Sequence, residues 1–169
     1  MKVRVFYAAR MKTFSKILII ALAAISLTSC LGGDYQSTPV IHAQYAYRTA
    51  ADGKRDTIYI GDTIHVGDTL VAPMVLSGVY HPLTTFVVES DTAGLTYALR
   101  FDTAVAVAIA SDSRPEEGYL HFNPDYVAVA VQYYCVAKKA GDYPVTFTLS
   151  SMASEPYTHR EVPFTQAVR

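Results

Sequence analysis

The stretch Tyr126–Val136, YVAVAVQYYCV, decides the fold class of this chain. Its larger apolar residues alternate with small or polar ones, so one face of the segment would carry Val127, Val129, Val131, Tyr133 and Cys135. Because successive side chains of a β-strand point to opposite sides, this alternation is typical of a strand with one face buried. The sequence therefore predicts a long, half-buried strand here.

The same alternation continues on both sides of this segment. Two clear examples are Leu95–Phe101 and Tyr143–Leu149, where threonines occupy part of the opposite face. Weaker candidates are Val40–Arg48, Thr57–Ile60, Thr63–Val66, Thr69–Leu76, Leu83–Glu89, Tyr119–Phe122 and Arg160–Val168. Short strands separated by turn residues in this way indicate a sandwich or a barrel.

Two segments leave a choice open. In Ala104–Ala110 the alternating valines and isoleucine favour a strand, although the alanines also permit a helical turn. Pro163 cannot donate a backbone hydrogen bond, so it predicts an edge position or a bulge in the last strand.

Residues 56–73 contain a short repeat, DTIYIG-DTIHVG-DTLVAP. Six-residue repeats can build a solenoid, but that architecture needs more stacked copies than three. We expect three strands joined by two Gly-Asp turns instead. Asp56, Asp62 and Asp68 are then expected to hydrogen-bond the turn backbone rather than to bind calcium.

The beginning of the chain has the features of an export signal. Lys12 and Lys16 precede the apolar run Ile17–Leu27, which is shorter than the roughly 20 residues that span a membrane. Next comes Leu27-Thr28-Ser29-Cys30, which resembles the lipobox of bacterial lipoproteins. The resemblance implies a cleaved signal peptide at residues 1–29, with Met11 as the true start. It also implies lipidation of Cys30, a tether at 30–39 and a β-sandwich domain at 40–169.

Removal of residues 1–29 would change the charge of the protein. Five of the 14 basic residues lie there, whereas all 15 acidic residues lie later, so the net charge would move from −1 to −6. An acidic domain is repelled by phosphate backbones, which excludes nucleic acid as a partner. Cys135 would be the only cysteine left besides Cys30, so no disulfide within the domain is expected.

Two further segments resemble the immunoglobulin-like domains of bacterial surface proteins, including the PKD type. Ile64–Leu70 resembles their first strand, turn and second strand, and Ala140–Leu149 resembles their penultimate strand. The resemblance implies a single immunoglobulin-like antiparallel β-sandwich in which Tyr143 ties a loop to its strand. The whole chain is similar to small Bacteroidetes lipoproteins. This implies a lipid-anchored cell-envelope protein at the outer membrane, on its periplasmic face or on the cell surface.

The sequence offers no standard catalytic or metal-binding arrangement. The five histidines lack metal-ligand spacing, and Cys135 shares its predicted face with valines. Glu116 and Glu117 lie in a polar segment with the composition of an exposed turn. We therefore expect no catalytic, cofactor-binding or metal site.

Tyrosine is the remaining unusual feature. The side chains expected on accessible faces are those of Tyr45, Tyr47, Tyr59, Tyr119 and Tyr134. Tyrosine is common in sheets, but it is also favoured at binding surfaces. The leading hypothesis is a non-catalytic module that binds or scaffolds an envelope protein or a glycan. The alternatives are a lipocalin-like barrel that carries a small apolar ligand and an envelope enzyme with a site assembled from distant residues.

Overall fold

The computed structural model describes residues 35–169, which form ten β-strands. The predicted signal peptide 1–29, Met11, Cys30 and half of the tether lie outside the described residues. The strands are β1 Val40–His42, β2 Tyr45–Thr49, β3 Arg55–Tyr59, β4 Thr69–Ser77, β5 Leu83–Ser90, β6 Leu95–Arg100, β7 Tyr119–His121, β8 Ala128–Ala137, β9 Gly141–Ser151 and β10 His159–Val168.

The strands form two antiparallel sheets that pack face to face. The larger sheet has the order β3-β2-β4-β8-β6, and β1 pairs with the same edge of β4 as β2. The smaller sheet has the order β10-β9-β5-β7. The prediction of an all-β antiparallel sandwich is therefore confirmed.

Aromatic rings from both sheets meet in the core. The ring of Phe147 on β9 lies 5.2 Å from Tyr133 on β8, 5.8 Å from Phe86 on β5 and 5.1 Å from Phe164 on β10. Tyr133, Phe86 and Phe147 are almost completely buried. The contacts with Tyr133 and Phe164 are edge-to-face and the contact with Phe86 is tilted, and such contacts add to the stabilisation from burial of the rings. The sheets are thus held together by a filled interior.

The clearest strand predictions are confirmed. In β8 the residues Val129, Val131, Tyr133 and Cys135 are buried as expected, and the intervening side chains face outward. Pro163 lies in the edge strand β10, whose free side is unpaired at Pro163 and makes only an isolated bridge at its far end, from Val168 to Ile64. The missing donor of the proline therefore leaves no gap in the interior of the sheet.

The single strand predicted over Val40–Arg48 is wrong, because the segment forms β1 and β2. Val40 pairs with Ser77 and Tyr47 pairs with Val71, so the register along β4 shifts by one residue between them. An extra residue of this kind moves every later side chain to the opposite face. Accordingly, the residue of β1 that packs against the core is the odd-numbered Ile41, whereas the buried residue of β2 is the even-numbered Ala46.

The strand predicted at Thr63–Val66 is also wrong, and so is the expectation that Ile64 begins the first strand of an immunoglobulin-like domain. Only Ile64 makes a bridge there, a parallel one to Val168 at the end of β10. Its N–H donates to the Ala167 carbonyl at 3.0 Å, and its side chain is completely buried. The middle unit of the repeat therefore crosses from the larger sheet to the smaller one instead of returning beside β3.

The strand favoured at Ala104–Ala110 is replaced by a short 3-10 turn at Ala106–Ala108. Only Ile109 makes a bridge, to Phe122. The segment connects β6 in one sheet to β7 in the other, and Ala108 is buried at the crossing. The small alanine side chains permit this crossing, whereas the alternating valines led to the prediction of a strand.

Candidate binding face

The outer face of the six-stranded sheet carries a row of exposed tyrosines. Tyr45 and Tyr47 project from β2 on either side of the buried Ala46, and Tyr59 on β3 is the direct partner of Tyr45. Their exposed fractions are 44% for Tyr45, 51% for Tyr47 and 72% for Tyr59. The rings of Tyr45 and Tyr47 lie 5.7 Å apart at 74°, in an edge-to-face arrangement. We call these three residues the tyrosine row.

A cleft of about 810 Å³ begins beside the tyrosine row. Its lining comes from five strands: His42, Gln44 and Tyr45 of the β1–β2 region lie on one side, and Arg100, Phe101, Asp102 and Val105 lie on the other. Between them the surface is formed by β4 and β8, with Pro73, Val75, Ala130 and Gln132. The cleft therefore combines apolar surface with side chains that donate and accept hydrogen bonds.

Two local features create the cleft. The register shift between β1 and β2 interrupts one side at Gln44, and β6 ends at Arg100 on the other side. After Arg100 the chain leaves the sheet toward the 3-10 turn at Ala106–Ala108, which brings Phe101 and Asp102 to the rim. The central strands β4 and β8 are left uncovered between these two breaks.

The charged groups of the cleft are held in place. The guanidinium of Arg100 lies 3.6 Å from the centre of the Tyr134 ring, a cation–π contact. The Asp102 carboxylate accepts hydrogen bonds from the Ala104 N–H at 3.3 Å and from the Thr103 hydroxyl at 3.1 Å. These bonds, led by that from Ala104, lower the pKa of Asp102. Asp102 therefore carries a negative charge at neutral pH, in the same cleft as the positive charge of Arg100.

A second hollow of about 470 Å³ lies on the same face, beyond Tyr47. It is formed by β2, β3 and β4, and its lining includes Arg55, Thr57 and Val71. The outer face thus offers two adjoining depressions with the tyrosine row between and beside them.

The tyrosines predicted to be accessible fall into two groups. Tyr45, Tyr47 and Tyr59 are exposed on one face, and Tyr134 lies on that same face, half-buried beneath Arg100. Tyr119 instead belongs to β7 in the smaller sheet, where Arg114 lies 5.2 Å from its ring centre. The residues that sequence reasoning missed are Arg100, Asp102, Gln44 and Gln132, because their proximity depends on the pairing of distant strands.

The aspartates of the repeat serve two different purposes. Asp62 and Asp68 accept the backbone N–H groups of Tyr59 and His65, each at 2.9 Å, so the prediction that they hydrogen-bond the turns is confirmed. Asp56 departs from that prediction. It lies within β3 and forms an ion pair with Arg48 on β2, with Nε to Oδ1 at 3.0 Å.

Cys135 has the surroundings of a buried apolar residue. Its side chain is completely inaccessible, and burial raises the pKa of the thiol to about 11. A thiol in such a place is protonated at neutral pH and is a poor nucleophile. Glu116 and Glu117 are exposed in a 3-10 turn, where Glu117 pairs with Arg114 at 3.0 Å.

Among residues 35–169, no three His, Cys, Asp or Glu side chains are placed to hold a metal ion. His121 pairs with Asp112 at 2.9 Å, and this hydrogen bond lowers the pKa of Asp112. His42 lies at the cleft, and His65 is exposed beside Asp68. In the same part of the chain, the structure has no helix of the length and apolarity needed to cross a membrane.

The fold and this face define an antiparallel β-sandwich with one open, tyrosine-bearing sheet. No protein-family model matches the chain, and no curated protein matches it. Among solved structures, it is similar to a DUF4466 family protein from Parabacteroides merdae, with 14% identity and a TM-score of 0.46 over 76% of this chain. It is also similar to a structure described as BspA_C_mut, with 16% identity and a TM-score of 0.45 over 77% of this chain.

A third similar structure is a family 123 glycoside hydrolase from Clostridium perfringens, with 12% identity and a TM-score of 0.38 over 77% of this chain. The chain spans less than half the length of each of the three, namely 43%, 47% and 27%.

Proposed function

We propose that this chain is a bacterial lipoprotein, anchored through Cys30, whose β-sandwich is a non-catalytic binding module of the cell envelope. The observation that carries the proposed binding function is the tyrosine row beside the cleft of about 810 Å³. Large exposed rings on a rigid sheet supply apolar contact area at a low cost in side-chain entropy, which is why tyrosine is enriched at binding surfaces.

The chemistry of the cleft favours a neutral oligosaccharide over an apolar ligand. Gln44, Gln132, Arg100 and Asp102 present amide, guanidinium and carboxylate groups that match sugar hydroxyls in donor and acceptor capacity. Tyr45 offers a ring against which the apolar face of a sugar can pack. Since the chain after residue 29 has a net charge of −6, an acidic polysaccharide would meet repulsion.

The lipocalin-like alternative has no support in the described residues. Their strands form two sheets and no closed barrel, and aromatic and aliphatic side chains fill the space between the sheets. The open cleft lies outside this core, on the face of one sheet. A small apolar molecule would therefore find no enclosed cavity of the lipocalin kind there.

The test of the binding face uses the lipidated full-length protein in detergent and an array of neutral hexose and N-acetylhexosamine oligosaccharides. Tyr45→Ala should weaken binding of the best oligosaccharide by about tenfold, the effect of losing one well-packed ring contact. Tyr80→Ala is the matched control, because Tyr80 is 62% exposed but lies on the β4–β5 loop away from the cleft.

Absence of binding to every oligosaccharide would reject the glycan. Specific recovery of one envelope protein, lost in Tyr45→Ala but not in Tyr80→Ala, would instead show that the face binds protein. The anchor is tested separately by Cys30→Ser, which should abolish partitioning into the detergent phase. Unchanged partitioning would reject lipidation at this position.

A further inference from the structure

The chain enters the sandwich at a defined end. The first residue of β1, Val40, pairs with the last residue of β4, Ser77, which in turn pairs with the first residue of β8, Ala128. Just before β1, the Gln36 side-chain oxygen accepts the N–H of Ser154 at 2.9 Å, in the loop between β9 and β10. We call this side of the domain the tether end.

Three loops form the tether end, and backbone hydrogen bonds join them. They are the β4–β5 loop 78–82, the segment 123–127 before β8 and the β9–β10 loop 152–158. Gly78 donates to the Val127 carbonyl and Leu83 to the Tyr126 carbonyl, each at 2.8 Å. Met152 donates to the Pro82 carbonyl at 2.9 Å. The loops therefore form one connected surface.

Large side chains with apolar surface project from two of these loops. Tyr80 is 62% exposed, Met152 is 61% exposed and Tyr157 is 39% exposed. Val79, immediately before Tyr80, has a φ of 61°, a left-handed conformation that is unfavourable for a β-branched residue. Strain of this kind is often found where a loop must present a particular side chain.

The charge of the tether end differs from that of a surface that binds anionic lipid. The three loops contain no lysine or arginine, and their acidic residues are Asp125 and Glu155. Attraction to anionic headgroups depends on such basic side chains. Tyrosine, by contrast, is enriched at the membrane–water interface, where its ring contacts lipid and its hydroxyl stays hydrated. The nearest exposed cation, Arg160 at the start of β10, is followed by the exposed Glu161 of opposite charge. A membrane contact through the three loops themselves would be apolar rather than electrostatic.

Distance then restricts which end can meet the bilayer. Gln36 follows Cys30 by six positions, and even a fully extended chain over those six steps covers only about 20 Å. The strands β8 and β10 have ten residues each, so the opposite end lies about 33 Å farther along the sheet. A lipid on Cys30 would therefore keep the tether end, and not the opposite end, close to the membrane.

We propose that the tether end rests on the bilayer, with Tyr80, Met152 and Tyr157 in the headgroup region. This inference rests on the proposed lipid anchor at Cys30. It has a consequence for the binding face: the strands would stand roughly upright on the membrane, and the tyrosine row would face sideways, open to a partner in the surrounding space.

The chain contains no tryptophan, so a single introduced tryptophan reports on its own position. The test places Met152→Trp, and separately Tyr80→Trp, in the lipidated full-length protein on phosphatidylethanolamine–phosphatidylglycerol vesicles with brominated acyl chains. Each should show a blue-shifted emission and about a twofold loss of intensity relative to unbrominated vesicles, as expected for an interfacial ring.

Lys54→Trp is the matched control, because Lys54 is exposed in the β2–β3 connection at the opposite end. Its emission should not respond to bromine. Quenching at positions 80 and 152 should persist in about 1 M salt, where the Debye length is about 3 Å. Loss of the quenching in salt would overturn the apolar contact.

The anchor and the contact can fail separately. Protein that floats with the vesicles and carries the diacylglyceryl mass on Cys30, but whose tryptophans at 80 and 152 are not quenched, would overturn the contact and leave the anchor intact. Equal quenching of all three tryptophans would also overturn it. Protein that neither floats nor carries the lipid would reject the anchor and, with it, this inference.

Discussion

The ring of Tyr143 occupies the space that a side chain on residue 94 would need. A Cβ on Gly94 would lie 1.9 Å from both the Cζ and the hydroxyl oxygen of Tyr143. The same hydroxyl donates to the Lys139 carbonyl at 3.0 Å, and the Gly94 carbonyl accepts the N–H of Lys138 at 2.8 Å. Gly94 and Tyr143 thereby join the β5–β6 turn to the β8–β9 turn at the end opposite the tether.

Gly94→Ala should destabilise the domain by about 3 kcal/mol, because overpacking at a site without free space forces the backbone or the ring to move. The measurement is the free energy of unfolding in urea. Gly53→Ala is the control: Gly53 has a φ of 86° but nothing within 4 Å of the added Cβ, so only the conformational cost of about 1 kcal/mol is expected. Equal losses in the two variants would contradict the close approach of the Tyr143 ring.

Tyr143→Phe should cost about 1 kcal/mol of stability, since it removes the hydroxyl that serves the Lys139 and Ala140 carbonyls but keeps the ring. The same substitution at the exposed Tyr157 should change the stability by less than about 0.5 kcal/mol. Similar values for the two variants would mean that the corner hydrogen bonds contribute little.

The sequence predicted the features that depend on one strand at a time. The burial of Val129, Val131 and Cys135 follows from the alternation in β8, and the role of Tyr143 followed from a local resemblance. Each of these signals is contained in about ten consecutive residues. Local alternation is enough to predict burial along one strand, because it indicates which side chains face the core.

Features that depend on the pairing of distant strands were not predictable. The register shift between β1 and β2 becomes visible only against β4, and the crossing of Ile64 only against Val168. The cleft also depends on the pairing of distant strands, since Gln44 and Arg100 lie far apart in sequence and line its opposite sides, with β4 and β8 between them. The accessible tyrosines could be predicted one at a time, because a large ring on the outer face of a strand is unusual by itself. The polar residues of the cleft are ordinary on a strand surface, so the sequence does not single them out.

Asp62 and Asp68 accept equivalent backbone bonds, but their substitution should have unequal effects. Asp68 has a side-chain exposure of 3% and lies 3.9 Å from the Arg48 guanidinium, whereas Asp62 is exposed. Asp68→Ala should cost about 2 kcal/mol, because it leaves the His65 N–H without its partner and removes a buried charge from beside Arg48. Asp62→Ala should cost about 0.5–1 kcal/mol, the usual value of an exposed turn hydrogen bond.

Urea unfolding of both variants measures this difference. Asp68→Asn, which keeps an oxygen acceptor but removes the charge, separates the two contributions of Asp68. If Asp68→Asn were as unstable as Asp68→Ala, the charge would dominate; stability close to the parent would assign the loss to the hydrogen bond. Equal costs for Asp62→Ala and Asp68→Ala would contradict the role of burial.

The thiol of Cys135 should be almost unreactive in the folded protein. In a Cys30→Ser background Cys135 is the sole cysteine of the chain. Its pKa rises from 9.0 to about 11 through burial, which alone lowers the thiolate fraction at pH 8 by about 100-fold, and the lack of access lowers the rate further. Reaction with a disulfide reagent with and without urea measures the ratio. Rapid labelling of the folded protein would show that the site opens to solvent.

The same pKa shift makes the stability of the domain depend on alkaline pH. Below pH 9 the thiol is protonated in both the folded and the unfolded chain, so its contribution to stability is fully present. As the pH rises from 9 to about 11, the unfolded chain loses this proton and the folded chain retains it, which favours unfolding by up to about 1.4 kcal/mol per pH unit.

Cys135→Ala should therefore show a shallower loss of stability between pH 9 and 11 than the parent, both in the Cys30→Ser background. Burial raises the pKa of Tyr133 as well, and the neighbouring Cys135 raises it further, so both proteins in the comparison also carry Tyr133→Phe, which removes this second titrating group. Parallel curves for the two proteins would show that the folded chain does not hold this proton more tightly than the unfolded one.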